Sequence, residues 1–214
     1  VVTVNHRLNI FAHLYLAEYG DGFADSGNAG ILDLVQSLKW VQDNIAEFGG
    51  DPNNVLIFGE SGGGAKVSVL MAMDSARGLF HRAVVQSGPR LTNMESATAA
   101  AGARALVTAL GLNEETIDQI RSIPAEAIEA TANEVVKAGG QATWSGPVFD
   151  GRNFTRQPFD PDAPPQSANI PLLIGTIRTE MSLLAGARRP ELFDLTWETL
   201  PAALAALSPT IDTD

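Results

Sequence analysis

The chain has 214 residues, 45% of them hydrophobic and 18% charged, which is enough apolar matter for a buried core and excludes a disordered or fibrous chain. Fourteen Lys and Arg against 25 Asp and Glu leave a net charge of −11, so no nucleic-acid partner is expected, because a phosphate-backbone site needs clustered cations. The absence of cysteine excludes disulfides, thiolate metal sites and a cysteine nucleophile, and no apolar run nears the ~20 residues of a membrane span, so no membrane contact is expected.

Val1-Val2-Thr3-Val4 is a β-branched run that predicts a strand over residues 1–5, already under way, and a cut N-terminus. A Gly-rich loop over 20–28 leads into a helix, because Ile31, Leu34, Val35, Leu38, Val41 and Ile45 recur on one helical face. The turn cluster at 49–54 ends it. Val55-Leu56-Ile57-Phe58 is too short for a helix and uniformly apolar, which predicts the central strand of a sheet covered on both faces. A helix through Val67, Leu70 and Met71 follows, then a strand over 83–86. A mostly helical insertion is expected at about 95–138, with an Ala-rich helix stopped by Gly111 and a capped helix start at Asn113-Glu114-Glu115. A strand over 171–175 comes next, and Thr196 caps a last helix containing Leu200, Leu204 and Leu207, before an end at 208–214 with no closing element. Alternating strands and helices predict an α/β fold with a parallel sheet, whose chemistry belongs at the carboxyl ends of its strands.

Gly59-Glu60-Ser61-Gly62-Gly63 fits the G-x-S-x-G turn that lifts a serine nucleophile between a strand and a helix. The apolar run before it and the helical pattern after it supply the context the turn needs. The alternative is a Gly-rich turn with a structural serine. A phosphate-cradling loop is excluded because Lys66 is followed by Val67 rather than Ser or Thr. A serine nucleophile needs a base and an anion to orient it, and in this architecture the order is Ser, then Asp or Glu, then His. His6, His13 and His81 all break that order and are expected to be structural or surface residues, so the base is missing from the chain.

Val4-Asn5-His6-Arg7-Leu8, Asn28-Ala29-Gly30-Ile31-Leu32-Asp33, Lys39-Trp40-Val41-Gln42-Asp43-Asn44-Ile45, Phe48-Gly49-Gly50-Asp51-Pro52 and the serine turn resemble consecutive blocks of the type-B carboxylesterases. Phe80-His81-Arg82-Ala83-Val84-Val85-Gln86-Ser87-Gly88, Pro147-Val148-Phe149-Asp150-Gly151 and Pro171-Leu172-Leu173-Ile174-Gly175 continue the likeness in the family's order. The resemblance implies part of an α/β-hydrolase fold, with 1–214 an internal portion of one such domain. It implies a serine hydrolase of small-molecule carboxylic esters, acting through an acyl-enzyme without cofactor or metal.

Position by position, the resemblance implies Ser61 as nucleophile, the Gly62 N–H as oxyanion donor and Glu180 as triad acid. It implies Ser87 as a residue hydrogen-bonded behind the triad, and Glu60 either as a carboxylate lining the pocket or as a polar residue paired within the turn. Thr179 and Met181 depart from the usual Asp and Gly around the acid, and Gly62 stands where Ala is usual. Arg7 and Asp33 match a buried ion pair, and Trp144 either walls an acyl pocket or packs in the core. The upstream oxyanion glycines and the triad histidine are expected outside the chain. Two rivals remain: a cholinesterase-like binding or adhesion module without catalysis, and a complete small hydrolase that uses His81.

Overall fold

The computed structural model describes residues 1–180, 182–187 and 189–207; Met181 and residues 208–214, both named above, lie outside the described residues. The chain forms two compact units, Val1–Ile174 and Gly175–Asp214.

In the first unit the helices are α1 (Ile10–His13), α2 (Ala29–Asn44), α3 (Gly62–Met71), α4 (Ser96–Ala109) and α5 (Ala125–Lys137). The strands are β1 (Leu56–Glu60), β2 (Arg82–Gln86), β3 (Met94–Glu95), β4 (Val148–Phe149) and β5 (Leu172–Gly175). α2 buries Ile31, Val35, Leu38 and Val41, four positions of its apolar stripe. α3 buries Val67, Leu70 and Met71. These side chains meet Ile57 of β1, Ala83 and Val85 of β2, Met73 and Phe154 in one core, which seats the sheet against α2 and α3. A second core gathers Ile10, Leu14 and Leu16 with Leu106 of α4, Ile128 of α5 and Trp144. Trp144, 4% exposed, therefore packs the helical insertion.

β1 and β2 run parallel, with Leu56 opposite Arg82 and Glu60 opposite Gln86. The three-stranded sheet has the order β1-β2-β5, and β3 pairs in parallel with β4 in a separate two-stranded ribbon. Three expectations need correction. Residues 1–5 form no strand, and Val1, Val2 and Val4 are exposed: β-branched propensity makes a strand only where a neighbour accepts the ladder. β2, rather than β1, is the middle strand of the described sheet. β1 is covered on one face only, since Ile57 is 9% exposed while Leu56 and Phe58 are 48% and 59% exposed. The period-two alternation is present in space and hidden in the sequence, because all of these residues are apolar.

Between β3 and β4 the chain holds α4, a 3₁₀ turn and α5. Asn113 Oδ1 accepts the Glu115 and Thr116 N–H groups at 2.9 and 3.1 Å, but the cap opens only a 3₁₀ turn, Ile117–Ser122. Pro124 comes two residues later and precedes α5, leaving no room for a longer helix. The second unit contains a π-helical turn, Ser182–Gly186, a 3₁₀ turn, Pro190–Asp194, and α6 (Leu200–Leu207). No helix among the described residues is long and apolar enough to cross a membrane.

Candidate active site

β1 ends on Glu60 and α3 begins on Gly62, so Ser61 alone must reverse the chain. It does so at φ 53° and ψ −118°, a conformation that costs a residue with a Cβ on the order of 1–3 kcal/mol and persists only where the surroundings impose it. The Ser61 N–H donates to Gln86 O at 2.8 Å, and Ser61 O accepts the Ala65 N–H at 3.0 Å. Two glycines permit the crowding. A Cβ on Gly59 would stand 2.5 Å from Gly63 O, and one on Gly88 would stand 2.6 Å from Ser61 C, both closer than carbon atoms approach. Gly59 and Gly88 are thus fixed by backbone contact, whereas a Cβ on Gly63 would meet nothing within 4 Å.

Glu60 and Gln86 are register partners, so Ser61 and Ser87 occupy matching positions beyond the ends of two parallel strands. Ser87 also turns through positive φ, 52°, and Gly88 then lies against the Ser61 carbonyl. Ser87 is half-buried and Glu60 is exposed. Ser61 and Gly62 are exposed. Because the Ser61 N–H is taken by Gln86, the donors left at the turn are those of the first helical turn, whose N–H groups have no acceptor within the helix. Gly62 is the first of them. Glu180 belongs to the second unit, where its Oε2 accepts the Ile177 N–H at 3.3 Å and its side chain is half-buried.

The histidines are engaged elsewhere. His81 Nδ1 accepts the Val55 N–H at 3.1 Å and the His81 N–H donates to Val55 O at 2.8 Å, at the amino end of β1. Ser61 lies past the other end of that strand, six residues beyond Val55 and so on the order of 20 Å away at ~3.3 Å per residue. This separation removes the reading in which His81 serves as the base. His13 is 4% exposed, with Nδ1 3.1 Å from Gly27 O. Burial pushes its imidazole down to about 4, against the Gly27 contact and with the help of Lys66 and Arg90, so it is neutral at pH 7. His6 Nδ1 lies 2.7 Å from Arg7 O.

Arg7 and Asp33 pair as expected: Nη2 to Oδ1 at 2.6 Å, Nε to Oδ2 at 2.8 Å, and the Arg7 N–H to Oδ2 at 3.0 Å. The hydrogen bond to Arg7 holds the Asp33 carboxyl below its ordinary value. The pair is not buried, since the Arg7 side chain is 54% exposed. Sequence reasoning missed a different polar tie. Asn28 is fully buried, donates to Val148 O and Asp150 Oδ2 at 2.9 Å each, and accepts the Val148 N–H at 2.9 Å. Asp150 Oδ1 in turn accepts the Arg152, Asn153 and Phe154 N–H groups at 2.8–3.2 Å. The only sequence signal was that Asn28 and Asp150 both lie in the blocks carrying the resemblance.

Residues 1–195 match the profile of the family described as the carboxylesterase family. The chain is 38% identical over 210 residues to the para-nitrobenzyl esterase of Bacillus subtilis (strain 168), covering 97% of this chain and 42% of that protein. It is 35% identical to carboxylesterase 1C of Rattus norvegicus over 84% of this chain and 32% of that one. A solved structure of a Geobacillus stearothermophilus carboxylesterase superposes with a TM-score of 0.79 at 36% identity, covering 94% of this chain and 43% of its own. The chain therefore spans about two fifths or less of the length of these relatives.

Proposed function

Since the chain belongs to the carboxylesterase family, we propose that it carries the nucleophile portion of a serine carboxylic-ester hydrolase with an α/β-hydrolase fold. The observation that carries the reading is the turn at Ser61: a strained, exposed serine between a parallel strand and a helix, its own N–H spent on Gln86 and the Gly62 N–H left over. In this reading Ser61 Oγ attacks the ester carbonyl carbon while a histidine base takes its proton. The carbonyl oxygen becomes an oxyanion that accepts the Gly62 N–H, and each such preorganised donor is worth on the order of 3 kcal/mol. The base returns the proton to the leaving alcohol, and water then cleaves the acyl-Ser61 ester to release the acid.

Glu180 is the proposed partner that fixes the tautomer of the base and stabilises its cation. In this reading Glu60, at the end of β1, and Ser87, just past the end of β2, shape the field and the support of the nucleophile. The base itself is assigned to a segment of a longer parent, because His6, His13 and His81 are all held by other contacts and the relatives are more than twice this length. The 214-residue chain by itself is then inactive.

A side-by-side assay of the 214-residue chain, a longer parent and the parent carrying Ser61→Ala on a short-chain aryl ester tests the reading. Only the parent should turn over, with kcat lowered by several orders of magnitude in Ser61→Ala and the fold retained. An inactive parent that contains its downstream histidine would shift the reading to a binding module. Turnover by the 214-residue chain that Ser61→Ala abolishes would contradict the assignment of the base to another segment.

A further inference from the structure

Lys66 stands one helical turn past Gly62 in α3, is half-buried, and sits in no ion pair among the described residues. Its ammonium lies 3.5 Å from Gly62 O. A Cβ on Gly62 would stand 3.8 Å from the same ammonium and meet nothing else within 4 Å. Within one residue the Cβ and the backbone nitrogen are about 2.5 Å apart, so the ammonium is no more than about 6.3 Å from the Gly62 nitrogen, the proposed oxyanion donor. An oxyanion at hydrogen-bond distance from that nitrogen, ~2.9 Å, then lies within about 9 Å of the positive charge. Burial pushes the Lys66 pKa below its ordinary value, as befits a cation partly withdrawn from water and therefore less screened by it.

We infer that Lys66 is a positioning cation of the nucleophile turn: held at the Gly62 carbonyl, it stabilises by its charge the oxyanion that forms at the Gly62 N–H, without touching the substrate. The inference rests on the esterase reading of Ser61. A neutral ester carries no net charge at its carbonyl, so its binding is nearly indifferent to the ammonium. The tetrahedral intermediate carries a full negative charge there, so the attraction grows as the reaction proceeds and acts on kcat rather than on KM. At ~9 Å in a partly hydrated setting, one unit of charge is worth on the order of 5-fold in rate.

The test is a charge series at position 66 in the longer parent, assayed on a neutral short-chain aryl ester. Lys66→Arg, which keeps the charge, should retain most of the activity. Lys66→Met should lower kcat on the order of 5-fold and Lys66→Glu on the order of 5-fold more, with KM unchanged and the gaps narrowing as salt rises. Affinity for an aryl trifluoromethyl ketone, whose carbonyl carbon takes Ser61 Oγ to give an anionic hemiketal, should fall in the same order. A lysine that only braces α3 would leave kcat indifferent to the sign of the charge. Equal kcat in the Met and Glu variants, or losses that follow only their melting temperatures, would overturn the inference. An unsubstituted parent that fails to hydrolyse the ester would remove the esterase reading and this inference with it, whereas an active parent with kcat flat across the series removes the inference alone.

Discussion

Ser61 holds a backbone conformation that few residues adopt, and the contacts imposing it are those of Gly59, Gln86 and Gly88. Alanine substitution around the turn should therefore discriminate sharply. Gly59→Ala drives a methyl into the Gly63 backbone and should cost at least ~2 kcal/mol of stability. Gly62→Ala, at the first position of α3, meets nothing nearer than the Lys66 ammonium at 3.8 Å and should change stability by no more than ~0.5 kcal/mol. Urea denaturation of the two variants checks the contrast; equal midpoints would contradict it. The spacing of glycine and serine made this turn legible in the sequence, because the steric demand acts between residues four apart. His13 was illegible, since its burial depends on a carbonyl fourteen residues away. Its folded pKa of about 4 lies below the ordinary 6.5, so between those values the unfolded chain binds a proton that the folded chain refuses. Stability should be unaffected by this group above pH 6.5 and should fall by about 3 kcal/mol as pH drops from 6.5 to 4. A His13→Phe variant whose acid-side stability profile keeps the full slope would argue against this assignment.

Elements with a strong period were readable and those without one were not. α2 announced itself through an apolar stripe of four turns, and Gly111, at φ 73°, ends the segment after α4 as expected. β3 and β4 are two residues each, too short to carry any period, and residues 1–5 have strand propensity but no ladder. The ties between elements differ in value for a reason that burial decides. The Arg7 and Asp33 pair links residue 7 to α2 with good geometry, but water screens its exposed guanidinium, so Asp33→Asn should cost about 1 kcal/mol or less. Asn28→Ala strands the buried Val148 N–H and carbonyl together and should cost about 3 kcal/mol, loosening β4 from α2. Thermal melts of the two variants in one buffer compare them directly. An Asp33→Asn loss larger than that of Asn28→Ala would reverse the ranking.

For the whole chain, the resemblance carried in ordered blocks was legible across residues 1–195, and the fold follows from it. One-sided coverage of β1 was not legible, because Leu56 and Phe58 are as apolar as the buried Ile57 and differ only in which face they present. Ser61 and Gly62 could be read from one local motif, whereas the roles given to Glu180, Glu60 and Ser87 came from likeness position by position and stand as proposals. The central claim is that Ser61 forms a covalent acyl-enzyme. Its most direct measurement is peptide mapping by mass spectrometry of the longer parent after reaction with a fluorophosphonate, which traps activated serines. The account predicts a single adduct on the peptide containing Ser61, absent in Ser61→Ala and absent from the 214-residue chain alone. An adduct on another serine of the parent, or none at all with Ser61 intact, would contradict it.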